Sequence, residues 1–169
     1  MTYILDANIF IEAQNTYYCL DVCPGFWDFL GERFSTGELI SIRNVYDEIA
    51  YKDEYIFDWL KDRKSFFGSV DDEQTQIYFG QVVNYVQKEY TSRKSNNPNI
   101  NIFLGGADPW LIAKAKALSA TLVTHEIKAG LGSYKPKIPD VCENFGVSTI
   151  RTNDLLRSLQ IRFILEKKA

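Results

Sequence analysis

Three observations predict an α/β fold, a three-layer α/β/α sandwich around a central, mainly parallel sheet. Residues 3–5, 39–42, 121–124 and 147–150 are short apolar runs without strict alternation, as expected of strands buried on both faces. Segments with helical spacing and helix-start residues lie between them, so strands and helices alternate along the chain. The first run, Tyr3-Ile4-Leu5, ends abruptly at Asp6, and open α/β sheets hold their ligands at the carboxyl ends of their strands.

Residues 9–13 begin a short helix, followed by an aromatic-rich connection at 15–18. Pro24 stands near the first position of a second helix, where its missing N–H costs nothing. Phe26, Trp27, Phe29, Leu30 and Phe34 give that helix a core-facing side, and Gly37 ends it. Residues 41–51 pass from strand to helix, with Val45, Tyr46 and Ile49 inward, so Asp47 and Glu48 leave the helix about 100° apart. Residues 55–60 form another helix, with Asp53 as its cap. Asp71, Asp72 and Glu73 favour the start of a longer helix because acids complement the dipole there; Ile77, Val82, Val83, Tyr85 and Val86 carry its apolar content. The polar stretch 92–101 reads as a mobile loop.

Gly105 and Gly106 precede a helix rich in Leu, Ile and Ala that extends to Leu118. After the strand at 121–124 comes a glycine- and lysine-bearing loop at 130–137, then a short helix at 139–145. Residues 147–150 are expected to be the last central strand and 153–159 a helix; 161–165 fit either an edge strand or a helix continuation. No internal repeat interrupts this order, and 169 residues suffice for one domain spanning 1–169 with a sizeable core.

Hydrophobic residues make up 46% of the chain and aromatic ones 14%, which excludes a disordered polyelectrolyte. A net charge of −3 provides no broad basic footprint for nonspecific nucleic-acid binding. No apolar run approaches the ~18 residues of a membrane span, and the first residues already read as core strand, so a cytoplasmic protein without membrane attachment is expected. Cys19, Cys23 and Cys142 are then free thiols. With His125 they form a poor zinc set, since Cys142 lacks a nearby second ligand cysteine.

Four acids recur at element junctions: Asp6, Glu48, Asp108 and Glu126. Asp6 and Glu126 meet if their strands are neighbours, because paired strands lie about 4.8 Å apart. Two ionised carboxylates ~4 Å apart repel by about 4 kcal/mol at an effective dielectric near 20, so such a cluster calls for cations or protons. Mg²⁺ and Mn²⁺ take oxygen ligands and suit it, and such ions activate water against a phosphodiester. Each acid also has a plain explanation. Asp108 before Pro109 matches an N-cap followed by Pro, Asp6 is placed to cap the helix near Asn8, Glu48 could be a solvated helix residue and Glu126 a loop acid. Arg43, Lys52, Lys114, Lys128, Lys135 and Lys137 are candidate phosphate contacts, with Lys128, Lys135 and Lys137 grouped after Glu126. No nucleophile elbow or Walker A loop is present.

Leu5-Asp6-Ala7-Asn8-Ile9-Phe10-Ile11, Val45-Tyr46-Asp47-Glu48-Ile49, Ala107-Asp108-Pro109-Trp110-Leu111-Ile112-Ala113 and Leu122-Val123-Thr124-His125-Glu126 resemble, in order and spacing, the motifs of PIN-domain proteins. The chain is especially similar to a bacterial branch bearing Pro24-Gly25-Phe26-Trp27 and Lys137-Ile138-Pro139-Asp140-Val141-Cys142. The resemblance implies Mg²⁺- or Mn²⁺-dependent cleavage of RNA, and for the VapC-like toxins of the family an inhibitory antitoxin partner; a homodimer is common there. It implies Asp6, Glu48, Asp108 and Glu126 as the catalytic metal ligands, Asn8 as a residue shaping the site, and Thr124 as one positioning water or metal. The chain departs from the pattern where the last motif often has Asp and here reads His125-Glu126, with Asp140 a poorer substitute, and where the region between Glu48 and Asp108 is longer. Two other functions are compatible with the residues: a PIN-like module without catalysis that binds RNA or a protein partner, and a phosphatase with Asp6 as nucleophile, which Asn8 in place of a second Asp disfavours.

Overall fold

In the computed structural model, residues 1–52, 54–130 and 132–164 are described. Asp53, the expected cap, the side chain of Lys52 and Leu165 lie outside the described residues. Five strands form one parallel sheet: β1 (Tyr3–Leu5), β2 (Leu39–Ile42), β3 (Phe67–Gly68), β4 (Thr121–Val123) and β5 (Thr149–Ile150), in the order β3-β2-β1-β4-β5. β1 and β4 run side by side with Leu5 opposite Val123. Because the strands are parallel, Asp6, Arg43, Thr124 and Arg151 all emerge at one edge of the sheet.

The helices are α1 (Ala7–Asn15), α2 (Pro24–Ser35), α3 (Arg43–Lys52), α4 (Glu54–Leu60), α5 (Glu73–Arg93), α6 (Pro98–Gly105), α7 (Asp108–Leu118), α8 (Ile138–Phe145) and α9 (Thr152–Ser158), with a 3-10 turn at Lys61–Phe66. They gather into two packed groups around the sheet, α1 with α3 and α4, and α5 with α6, α7 and α8, giving the α/β/α sandwich. The apolar strands are wholly enclosed: Ile4, Leu5, Leu122 and Val123 have no exposed surface. The five core residues expected on α2 are all buried, as are Val45, Tyr46 and Ile49 on α3. Among the described residues, no helix is long and apolar enough to cross a membrane.

Four expectations are corrected. Residues 92–101 are no mobile loop: α5 continues to Arg93, and Asn97-Pro98 starts α6, where Asn97 Oδ1 accepts the Asn99 N–H at 3.1 Å. Residues 147–150 do not form a central strand, since β5 pairs only with β4 and ends the sheet. At 161–164 there is neither strand nor helix; the Phe163 ring instead packs at a tilt against Tyr18 and Phe26. Ile77 is 45% exposed, and the α5 seam runs through Thr75, Val82, Val86 and Tyr90.

Asn97 is buried and links two elements, because its Nδ2 also donates to the Tyr134 carbonyl at 2.5 Å. Asn97→Ala is expected to cost about 1–3 kcal/mol, through loss of a helix cap and an orphaned carbonyl. Urea unfolding of the two proteins measures this.

Candidate metal centre

The edge of the sheet shapes the site from β1 outward. Asp6 follows the last residue of β1 and has the extended backbone of an N-cap to α1, yet its side chain makes no cap hydrogen bond. Its Oδ2 instead accepts from Thr124 Oγ1 at 2.8 Å and from Asn8 Nδ2 at 3.0 Å. The plain capping explanation for Asp6 therefore fails. The Asp6 N–H donates to the Val123 carbonyl at 3.1 Å, and Thr124 Oγ1 accepts the Glu126 N–H at 3.1 Å, so the ends of β1 and β4 are tied together.

Asp108 is not a cap either. Ala107 holds that position, and Asp108 is the first residue of α7, with Pro109 behind it and no side-chain cap bond. Glu48 is half-buried on α3, whereas its neighbour Asp47 is exposed, as their angular separation requires. Glu48 and Asp108 line a cleft of about 500 Å³ together with Asn44, Asp47, Ile102 and Trp110. Thr124 and Glu126 line a second of about 300 Å³, which includes Lys128 and Arg151.

The electrostatics show that the four acids share one region. Burial, then the charges of Glu126 and Glu48, push the Asp6 carboxyl up to about 6 despite the Thr124 hydrogen bond. Burial, then Asp6, Glu126 and Glu48, push Asp108 up to about 8, against the opposing charge of Lys137. Ionisation is thus opposed at Asp6 and Asp108, first by burial and then by the neighbouring acids. Glu126 differs: Oε1 meets Lys137 Nζ at 2.7 Å and Oε2 accepts the Ile138 N–H at 2.8 Å. The hydrogen bond to Glu126 raises the Lys137 ammonium above its ordinary range.

Of the other expected contacts, Lys128 pairs with Glu143 at 2.9 Å and Lys114 with Asp72 at 2.6 Å, while the Lys135 side chain is exposed. Arg43 lies over the Tyr46 ring. Asp140 accepts the Ala129 N–H at 2.9 Å, so it fastens the loop before α8. His125 bridges Thr152 Oγ1 and Glu12 Oε2 at 2.8 and 3.2 Å and stands apart from any cysteine cluster. Arg151 and the Ile138 N–H escaped the sequence reading. The first lies at a short edge strand, and the second is a backbone donor whose one signal is the proline opening α8.

The candidate donor set is all carboxylate oxygen, the ligand type that a hard divalent cation prefers. Asp6, Glu48 and Asp108 are oxygen donors of the type that hard divalent cations take. As they stand, no three His, Cys, Asp or Glu side chains among the described residues form a ready metal-binding group. Glu126 is turned to Lys137 and the start of α8.

Residues 3–163 match one family model, described as a domain of unknown function, DUF4411. The chain belongs to the DUF4411 family. That match takes in all five strands and all four acids. No curated protein matches the sequence. Among solved structures, the chain resembles one in the crystal structure of VapBC2 from Rickettsia felis bound to a DNA fragment from their promoter, with a TM-score of 0.53. The identity is 19%, over 89% of this chain and 98% of that one. The likeness is one of fold, and it makes this DUF4411 sandwich PIN-like.

Both raised carboxyls make the metal-free protein sensitive to pH. Their folded values lie above the unfolded one, so their contribution to stability is complete below about pH 4 and is lost as pH rises through 6 and 8. Asp108→Asn should therefore stabilise the protein in EDTA at pH 8.5 by at least about 1 kcal/mol, a rise of roughly 2–4 °C in Tm. Near pH 4 the gain should vanish, and thermal melts at the two pH values compare them.

Proposed function

We propose that the protein is a divalent-metal-dependent ribonuclease, a single PIN-like domain acting in the cytoplasm, and the toxin of a toxin–antitoxin pair. What supports the reading is that Asp6 and Asp108 are buried carboxyls, both raised by burial and by the charges of Glu126 and Glu48, with Asp6 at the carboxyl end of β1 in a parallel sheet. The motif resemblance to PIN-domain proteins supports RNA as substrate. The fold shared with a chain of VapBC2, a complex bound to promoter DNA, supports an antitoxin partner.

Asp6, Glu48 and Asp108 would hold Mg²⁺ or Mn²⁺. When bound, the ion supplies Lewis-acid activation of water and neutralises phosphate charge. The chain's own groups prepare the rest. Thr124 and Asn8 fix one oxygen of Asp6, so its carboxylate keeps one orientation. Burial at the strand end weakens competing solvation of that carboxylate. The cleft lined by Glu48 and Asp108 would receive the RNA; Lys137, paired with Glu126, lies outside that lining.

One observation favours a second reading, the noncatalytic module that binds RNA or a protein: both oxygens of Glu126 are already engaged within the chain. Cleavage distinguishes the two. Asp6→Asn should lower Mn²⁺-dependent cleavage of single-stranded RNA by at least about a hundredfold, the scale expected when a metal ligand is lost, with the far-UV circular dichroism unchanged. A rate equal to wild type would overturn Asp6 as a metal ligand; no cleavage by either protein, together with metal-independent RNA binding, would select the module.

A further inference from the structure

We propose that the cavity between α1 and α9 seats one base of the RNA strand, with the Arg151 guanidinium on a phosphate next to that base. The inference rests on RNA being the substrate and deepens that reading by naming where the strand is held. It needs no metal, so its test is separate from that of cleavage.

The cavity holds about 350 Å³, at the lower end of the range of pockets that take small ligands. Ile9 and Ala13 of α1 are buried and supply its apolar lining. The polar lining is ordered by His125, which joins Glu12 Oε2 at 3.2 Å to Thr152 Oγ1 at 2.8 Å and so ties the segment after β4 to α1 and α9. Tyr17 also lines the cavity and is 86% exposed. Among the described residues no ring packs on Tyr17, whereas Tyr18 beside it stacks on Phe26 at 4.6 Å. An apolar surface, fixed hydrogen-bonding groups and a free aromatic ring are what recognition of an unstacked base in single-stranded RNA uses.

Arg151 sets the direction of the strand. Its side chain is exposed and, among the described residues, has no ion pair or hydrogen bond, unlike Lys114, Lys128 and Lys137, each matched to a carboxylate. The same arginine lines the neighbouring cleft with Thr124 and Glu126, and the Thr124 N–H donates to the Ile150 carbonyl at 3.0 Å. The guanidinium therefore stands between the cavity and the acidic centre, with a fork of donors suited to phosphate. Glu12 repels phosphate, so the sugar–phosphate chain lies at Arg151 and the base lies inside. There the Glu12 carboxylate keeps acceptor capacity beyond its bond to His125, and it faces the N–H groups of the base. The strand ends follow the order β2, β1, β4, β5 along the edge of the sheet. An RNA strand laid along that edge to Arg151 passes Asp6, so one base in the cavity fixes which phosphate reaches the carboxylates.

The test is binding of a 3′-fluorescein-labelled, random-sequence pentaribonucleotide to the full-length chain in EDTA, read by anisotropy. An abasic pentamer of equal charge should bind at least about tenfold more weakly, and Tyr17→Ala should weaken the pentaribonucleotide about tenfold. Arg151→Gln should weaken it about tenfold and reduce the slope of log K against log salt by about 0.7, the value for one phosphate on a single strand. Arg151→Lys should keep the wild-type slope. Lys116→Gln, an equal loss of charge beside Met1 and Thr121 at the opposite edge of the sheet, should match wild type within about twofold. Tyr17 and Arg151 are exposed, so the far-UV circular dichroism of their variants should be unchanged. Wild-type binding that neither variant alters, or equal affinity for the abasic pentamer, would overturn the inference and leave the ribonuclease reading standing. Absence of binding by wild type would overturn it as well, while Mn²⁺-dependent cleavage would still decide the nuclease reading.

Discussion

The hydrogen bond from Thr124 Oγ1 to Asp6 Oδ2 joins the ends of two neighbouring parallel strands, and the arrangement of the acidic centre depends on it. A carboxylate buried at that depth is costly without donors. Here the donors come from β4 and α1, so the Asp6 side chain is oriented only where β1 and β4 pair in the observed register. A slip of one residue would turn the enclosed Ile4 and Leu122 towards the opposite faces of the sheet. Core packing and site geometry are therefore one constraint, which the same few residues satisfy together.

Opposed ionisation is the second theme. Asp6 and Asp108 lie where burial and neighbouring carboxylates oppose ionisation, and the fold accepts that cost while compensating elsewhere. Around Glu126 the compensation is internal, through Lys137 and the start of α8. Around Asp6 it comes from neutral donors, the side chains of Thr124 and Asn8 and the Ala7 backbone. Glu126 is thus paired with a cation of the chain, whereas Asp6 is oriented by neutral donors. That difference weakens any scheme treating the four acids as equivalent.

Much of this was legible in the chain. Tyr3-Ile4-Leu5-Asp6 announces a buried strand with a carboxylate at its end, and the core side of α2 follows from aromatic spacing alone. Glu48 and Asp47 separate in the fold as helical geometry demands. What stayed hidden has physical reasons. β3 is two residues long and has no pattern to read, and α6 begins in a polar stretch where Asn97 caps and Pro98 opens a helix that composition disguises. Asp108 beside Pro109 matched a cap locally, but the chain enters α7 one residue earlier, at Ala107. The clamp on Glu126 was invisible because its partners are eleven and twelve residues away and one of them is a backbone N–H.

In the proposed function a divalent ion binds the native protein at the acidic edge of the sheet, beside the buried carboxyls of Asp6 and Asp108. Thermal unfolding of the wild-type chain in EDTA and in saturating Mn²⁺ tests it most directly. A ligand that binds only the native state stabilises it by about 2.7 kcal/mol at a hundredfold excess over Kd. A Tm several degrees higher with Mn²⁺ is expected, with the difference growing from pH 5 to pH 8 as the carboxyls ionise. A Tm unchanged by Mn²⁺ across that range would contradict it.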